Sequence, residues 1–356
     1  MNQPTREKTT ELSYQKRALG RLVNFLHDTG LDWDWNQDAL IEWLTCYRDT
    51  LSAASWRQSR AALVWYMKEK EDDLMLAGRI KGISTEGCPK ATKTSSQKKK
   101  TLSEEDFKAM SGFLLESHYK HLKNKGEPDS STSLQALHFL TATELTGLRP
   151  SEWYGCQMFV ESSKGEPEEG VLSWASRYSD PETGELHTEG LPDIDILKLV
   201  VKNGKASNGR AHGEYRTLRF REISKETLFA LVGQIRFTQK HPTQEAFNTY
   251  LKSCQDKITY TTKKLWPTKS KRPTLYSGRH QFSANLKLTE SLPVIAALMG
   301  HGSDRTATEH YGKKRYGRGS GIEIEASSEE VERIRRTAKT GFTGGKDKLP
   351  EPAQNI

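Results

Sequence analysis

Apolar residues recur at helical spacing through the N-terminal third of the chain. The first run ends at Gly30, and further runs follow near residues 38–51, after Ser52 or Ser55, and near residues 74–80. Such spacing places the apolar side chains on one face of an α-helix. The pattern therefore predicts a four-helix bundle over residues 11–82, preceded by a polar segment, residues 1–10, that we expect to be disordered.

The third predicted helix has one apolar and one basic side. Trp56 and Tyr66 fall among its apolar positions, so we expect them in the core rather than as stacking platforms for bases. The opposite side is predicted to expose Arg57, Ser59 and Arg60. Two interpretations stay open: the bundle only packs, or its basic side follows the phosphates of DNA.

Residues 83–101 have no apolar period and are polar and basic, which predicts a linker ending in Lys98, Lys99 and Lys100. This segment is a solvated tether, a strap across a nucleic-acid backbone, or both. A second domain, residues 102–320, is predicted to begin sharply at Leu102, where Ser103 can cap a helix.

In the middle of the second domain the spacing of the apolar residues changes from helical to the alternation typical of strands. Residues 194–201 and 214–220 predict the two strands of a β-hairpin. Its loop carries Lys202, Lys205 and Arg210. Residues 155–195 are acidic and predict an insertion with some β structure. The expected fold class is therefore mainly α with a small β-sheet.

Helical spacing returns in the segment that carries the candidate chemistry. Arg279 is expected to open one helix, and His301 is expected at the end of the next, just before Gly302. Tyr311 follows shortly afterwards. Beyond it, residues 321–326 predict a short strand and residues 327–339 a helix, within a C-terminal tail of residues 321–356.

Composition favours an anionic partner. The chain has 356 residues, enough for two domains, and a net charge of +8. It has no membrane-spanning run and no signal-peptide pattern at its start, so we expect a cytoplasmic protein, nucleoid-associated if bacterial. Its four scattered cysteines suggest neither a zinc site nor a disulfide framework.

Two arginines mark the candidate site. Arg149 lies in TELTGLRPSEW and Arg279 in YSGRHQ. An arginine grips phosphate oxygens with two parallel, charge-assisted hydrogen bonds. No Asp/Glu cluster with metal-ligand spacing accompanies them, so the sequence does not support a two-metal nuclease.

These motifs resemble the tyrosine recombinase (phage integrase) family. TGLRPSE at Arg149, R-H at Arg279, LMGH at His301 and H-Y-G at Tyr311 agree in order and approximate spacing over residues 100–320, with a weaker likeness in the N-terminal third. The resemblance implies a helical core-binding domain that clamps DNA, followed by an α+β catalytic domain. It implies no cofactor, metal or ATP.

The resemblance also implies residue roles. Tyr311 would attack the scissile phosphorus to give a 3′-phosphotyrosyl link, while Arg149 and Arg279 hold the non-bridging oxygens. Lys202, with Lys205 as runner-up, would protonate the leaving 5′-oxygen. His301 would bind a non-bridging oxygen or position the tyrosine.

Two departures from the family pattern stand out. Tyr276 occupies the position where the family usually has a histidine, and a phenol with a pKa near ~10 is a poor proton shuttle at neutral pH. The interval from His301 to Tyr311 is one residue longer than the commonest pattern. Tyr316 is therefore a second candidate nucleophile, although it matches no motif.

The partners implied are double-stranded DNA recombination sites, a homo-tetramer on that DNA and accessory DNA-bending or directionality factors, with no membrane. A mobile element is the implied setting. The C-terminal helix would dock on a neighbouring protomer or fold back on its own domain. Two alternatives stay open: a type IB topoisomerase-like enzyme, and a DNA-binding relative that does not cleave.

Overall fold

A computed structural model shows two compact units, Met1–Thr94 and Ser95–Ile356. The residues that the structure describes are 8–32, 36–89, 98–125, 127–161, 168–179, 194–204, 213–221, 223–303, 311–319 and 323–340. Helices predominate, and one small antiparallel sheet lies in the C-terminal unit. The predicted fold class, mainly α with a small β-sheet, is confirmed.

The described residues of the N-terminal unit form four helices, with bounds α1 Lys8–Thr29, α2 Gln37–Arg48, α3 Ala53–Glu69 and α4 Leu74–Gly82. Ser52 caps α3, since its side chain accepts a hydrogen bond from the Ser55 amide. The helices bury a shared apolar core that includes Phe25, Leu44 and Trp56. The tryptophan is fully buried, as the apolar stripe predicted.

Three expectations for the N-terminal unit were wrong. Helix α1 already begins at Lys8, so residues 8–10 are helical, and residues 1–7 lie outside the described part. Ser59 is buried and accepts a hydrogen bond from Arg21 Nε at 3.3 Å, because it lies on the inner side of α3. Arg60 is only partly exposed, since its Nη1 donates to the Ile83 carbonyl at 2.5 Å. Arg57 is exposed as expected.

The C-terminal unit is built around one buried helix. Helix α6 packs against α5, α8, α9 and α10 and buries both apolar and polar side chains. The helices of this unit are α5 Glu104–Lys125, α6 Thr132–Thr146, α7 Val171–Ser176, α8 Lys225–Gln239, α9 Gln244–Leu265, α10 Leu275–Leu286, α11 Leu292–Leu298 and α12 Ser328–Thr340. Because α10 starts at Leu275, Arg279 lies in its second turn and does not open it as expected.

In the described residues of this unit, five strands form an antiparallel sheet in the order β2-β1-β3-β4-β5. The bounds are β1 Gln157–Glu161, β2 Glu169–Gly170, β3 Ile196–Lys202, β4 Tyr215–Arg221 and β5 Glu323–Ala326. Strands β3 and β4 pair in register from Ile196 with Arg221 to Lys202 with Tyr215. The predicted hairpin is thus present, and the acidic region supplies β1 and β2.

The segment at Lys99 and helix α12, the first and last described parts of the C-terminal unit, both contact the rest of it. Lys99 donates its amide to the Arg272 carbonyl at 3.0 Å, and its own carbonyl accepts from Ser277 Oγ at 2.5 Å, so this end of the predicted linker belongs to the unit. Helix α12 lies on α11 of its own chain, with Val331 and Ile334 against alanines of that helix.

None of the helices in the described ranges is both long and apolar enough to cross a lipid bilayer.

Gly147→Ala is expected to destabilise the protein by about 2–4 kcal/mol. Gly147 ends α6 at φ +66°, and an added Cβ would overlap the Phe282 ring. Urea-induced unfolding of the full chain measures the change. Gly112→Ala is the matched control, because Gly112 lies exposed within α5 with open space around it. That variant should be neutral or stabilised by up to about 1 kcal/mol, and equal stability of the two variants would contradict the account.

Candidate active site

The turn after α6 places the first arginine. Gly147 adopts a left-handed conformation that ends the helix, and a short 3-10 turn, Pro150–Trp153, follows. Glu152 folds back on this turn: its Oε2 accepts the Arg149 amide at 2.8 Å, and its Oε1 pairs with Arg149 Nη1. The carboxylate therefore fixes both the backbone and the side chain of Arg149.

Arg279 reaches the same place from α10 and is fully buried. Its Nη1 donates to the Gly147 carbonyl, and its Nη2 donates to the Met299 carbonyl at 2.7 Å. His301 Nε2 lies 3.0 Å from the same Nη2. One guanidinium thus joins the turn after α6 to the turn after α11.

A third arginine, which the sequence reasoning missed, lies behind these two. Arg216 is fully buried on β4, and its Nη2 donates to Glu152 Oε2 at 2.8 Å. The signal was present in the sequence, because Arg216 alternates with Leu218 and Phe220 on the inward face of the strand. An arginine on an apolar strand face needs a buried partner, and Glu152 is that partner.

Two tyrosines complete the cluster. The hydroxyl of Tyr311 lies 3.0 Å from the hydroxyl of Tyr276 and 3.3 Å from Arg279 Nε, which donates to it. The Arg279 guanidinium also lies 5.1 Å from the centre of the Tyr311 ring. Both tyrosines are partly exposed and line the edge of a buried cationic cluster.

The chain after Tyr311 is held on α10 of the same protein. Lys287 Nζ donates to the Gly312 carbonyl at 2.7 Å, and Gln281 Nε2 donates to the Tyr316 carbonyl at 2.8 Å. These bonds fix Tyr311 over the arginines. The side chain of Tyr316 points away, since its hydroxyl accepts from its neighbour Arg315 and it is exposed.

Opposite effects act on the two phenols. Burial raises the pKa of Tyr276 to about 12, and the neighbouring Tyr311 adds to this although Arg279 opposes it. Burial also favours the neutral form of Tyr311, but Arg279, the Tyr276 hydrogen bond and Arg149 together bring its pKa below the ordinary value. Tyr311 is therefore the phenol that ionises first, and Tyr276 is the one that keeps its proton.

The buried acid and imidazole have fixed charge states. Burial works against the charged form of Glu152, yet Arg216, Arg279 and Arg149 hold its pKa well below the usual range. Burial, followed by the same arginines, keeps the pKa of His301 far below its ordinary value, so the imidazole is neutral. The cluster accordingly carries three cations and one anion.

A cleft of about 440 Å³ opens beside the tyrosines. It is lined by Tyr276, Tyr311, Ser277, Thr274, His280, Lys98, Lys99 and Lys100. Lys98 and Lys100 are exposed, whereas Lys99 pairs with Asp106. The cleft thus presents positive charge and hydroxyl groups to solvent, as a site for an anionic ligand requires.

Four of the remaining predicted residues are Lys202, Lys205, Arg57 and Arg60, and Arg210 is the fifth. Lys202 ends β3 with its side chain 57% exposed, and its Nζ lies 3.4 Å from Glu214 Oε1 rather than in the arginine cluster. Lys205 and Arg210 lie outside the described residues. Arg57 and Arg60 belong to the N-terminal unit.

Within the described residues, no group of three His, Cys, Asp or Glu side chains is placed to share a metal ion. No protein-family model matches the chain, and no curated protein matches it either.

Glu152→Gln is expected to destabilise the protein by about 3 kcal/mol near neutral pH, because it leaves buried arginines without their counter-ion. A carboxyl whose pKa is depressed by folding stabilises the fold fully above its ordinary pKa, and this contribution falls on acidification towards the folded pKa.

The difference in unfolding free energy between wild type and Glu152→Gln should therefore be constant above about pH 5 and shrink below it. Urea titrations at several pH values measure it. A difference that grows on acidification would contradict the assignment.

Proposed function

We propose that this protein cleaves and rejoins DNA strands through a covalent link to Tyr311, as a site-specific recombinase. The observation that carries the proposal is the position of the Tyr311 hydroxyl, 3.3 Å from Arg279 Nε at the edge of a cluster with a second arginine and a histidine. A nucleophile with a lowered pKa beside fixed cations suits attack on a phosphodiester. The motif resemblance points to the same chemistry.

In the proposed reaction the Tyr311 oxygen bonds to phosphorus and the bond from phosphorus to the 5′-oxygen breaks. The Tyr311 proton is lost to solvent, and the 5′-oxygen takes up a proton from a general acid. The free energy of the broken ester is kept in the phosphotyrosyl link, so a different 5′-hydroxyl can reverse the step without ATP.

Arg149 and Arg279 are the proposed ligands of the non-bridging oxygens. The Arg149 side chain keeps 12% of its surface exposed, whereas the fully buried Arg279 contacts the Tyr311 oxygen through Nε. Their charge would stabilise the extra negative charge of the transition state. The neutral His301 beside Arg279 has one N–H, through which it can donate a hydrogen bond to a non-bridging oxygen.

Lys202 is the proposed general acid, with Lys205 as runner-up. Its exposed side chain would have to leave Glu214 and turn to the DNA, which a strand-end lysine with four flexible bonds can do. The cleft lysines Lys98 and Lys100 are proposed to bind flanking phosphates, together with Arg57 and Arg210. Arg60 would bind a phosphate only after its hydrogen bond to the Ile83 carbonyl is broken.

The proposed partners are double-stranded recombination sites and further copies of this chain in a tetramer. Helix α12, which lies on its own unit, would have to detach before docking on a neighbour.

A DNA-binding protein that does not cleave is the second candidate. One observation favours it: each side-chain nitrogen of Arg279 already donates within the protein, to Tyr311, Gly147 and Met299. Covalent trapping separates the two candidates.

Tyr311→Phe is expected to abolish covalent adduct formation, whereas Tyr316→Phe should leave it intact. The substrate is a nicked suicide DNA taken from the region flanking the protein's coding sequence, and denaturing electrophoresis detects the adduct. DNA binding by both variants should match wild type. An adduct that depends on Tyr316 would overturn the choice of nucleophile, and binding without any adduct would favour the second candidate.

Tyr276→Phe is expected to shift adduct formation to higher pH. The Tyr276 hydrogen bond helps to lower the pKa of Tyr311, so removing it raises that pKa and leaves less phenolate at a given pH. The rate near neutral pH should fall about tenfold, as expected for loss of a hydrogen bond to a charged group. Single-turnover rates across pH measure the shift, and an unchanged profile would exclude this role.

A further inference from the structure

Arg216 connects the three segments that carry the candidate site. Its Nη2 binds Glu152, which fixes Arg149. Its Nη1 donates to Asn203 Oδ1 at 2.5 Å, directly after Lys202. Its Nε donates to the Leu298 carbonyl at 3.0 Å, at the end of α11 and just ahead of His301.

The chain leaves room for this arrangement at one glycine. Gly300 has φ +64°, and an added Cβ would lie 2.5 Å from Asn203 Oδ1 and 2.7 Å from Arg216 Nη1. The turn that presents His301 therefore passes directly over the contact between Arg216 and Asn203. A side chain at position 300 would collide with this contact, which explains the glycine in the LMGH motif.

The charges explain why a third arginine is useful. The Glu152 carboxylate is fully buried, pairs with Arg149, and has its Oε2 3.6 Å from Arg279 Nη1. Without Arg216 this anion would be neutralised by Arg149 and Arg279 alone, which would weaken the attraction of these two arginines for a second anion. With Arg216 present, the cluster keeps a net positive charge of two, which matches the doubly negative transition state of phosphodiester attack.

We propose that Arg216 is a positioning residue: it neutralises Glu152 and holds the turns of Asn203 and Leu298, so that Arg149 and Arg279 can bind the phosphate charge. The inference rests on the proposed function. Arg216 touches no substrate and acts only through these neighbours.

The test compares two suicide substrates in single-turnover trapping. One carries the normal phosphodiester, and in the other a methyl group replaces a non-bridging oxygen at the cleavage position, which removes the negative charge. Arg216→Lys should slow adduct formation on the normal substrate about 10- to 100-fold, as expected for a small misplacement of catalytic groups. On the uncharged substrate the loss should be clearly smaller.

The diagnostic result is that Arg216→Lys slows adduct formation more on the charged substrate than on the uncharged one. An equal loss on both substrates, or no loss, would overturn the inference and leave the proposed function in place. Arg219→Met is the matched control, because Arg219 lies on the same strand with an exposed side chain, and its rates should equal those of wild type.

Asn203→Ala covers the case in which Arg216→Lys does not fold. It removes one acceptor of Arg216 and keeps the buried ion pair, so the same asymmetry should appear with a smaller loss, several-fold on the normal substrate. An equal loss on both substrates would contradict the inference here too.

Inorganic phosphate tests the inference without cleavage. Phosphate should raise the unfolding midpoint of wild type and of Arg219→Met by the same amount. The rise should be smaller for Asn203→Ala, and also for Arg216→Lys if that variant folds. An equal rise in all variants would overturn the inference even if no DNA substrate forms an adduct.

Discussion

One buried carboxylate holds the candidate site together. Glu152 has no exposed side-chain surface and contacts Arg149 and Arg216 directly, with Arg279 at 3.6 Å. Burying a charge is costly unless it is paired and hydrogen-bonded, and here the pairing also fixes the turn after α6 to β4. The site geometry therefore depends on an anion that faces no ligand.

The tyrosine pair shows how burial and charge separate two identical groups. Tyr276 and Tyr311 lie 3.0 Å apart, yet one pKa is raised and the other lowered. The difference follows from the contact of the Tyr311 hydroxyl with Arg279 Nε. Where the resemblance leads one to expect a histidine, the chain has a phenol that keeps its proton. Such a group can hold a phenolate by donating a hydrogen bond, and it cannot serve as a base near neutral pH.

The helices could be predicted from the sequence because apolar residues recur in them at clear helical spacing. Local motifs identified the four candidate residues Arg149, Arg279, His301 and Tyr311. Sequence reasoning could not place Arg216, whose partners Glu152, Asn203 and Leu298 come from three distant segments. It misjudged Ser59, since periodicity alone does not decide which side of a helix a small polar residue faces. It misjudged Arg60 because the hydrogen bond to the Ile83 carbonyl is a tertiary contact. The contact between Tyr276 and Tyr311 is likewise tertiary and has no local signal.

The most direct test is to locate the nucleotide on the protein. The covalent complex would be formed with suicide DNA in EDTA, digested with nuclease and trypsin, and analysed by mass spectrometry. Cleavage after Arg305 and Lys313 separates a peptide of residues 306–313, which contains Tyr311, from residues 316–318, which contain Tyr316. The account predicts a nucleotide on Tyr311 in the first peptide. A nucleotide on the second peptide, or no modified peptide from a DNA that the protein binds tightly, would contradict it.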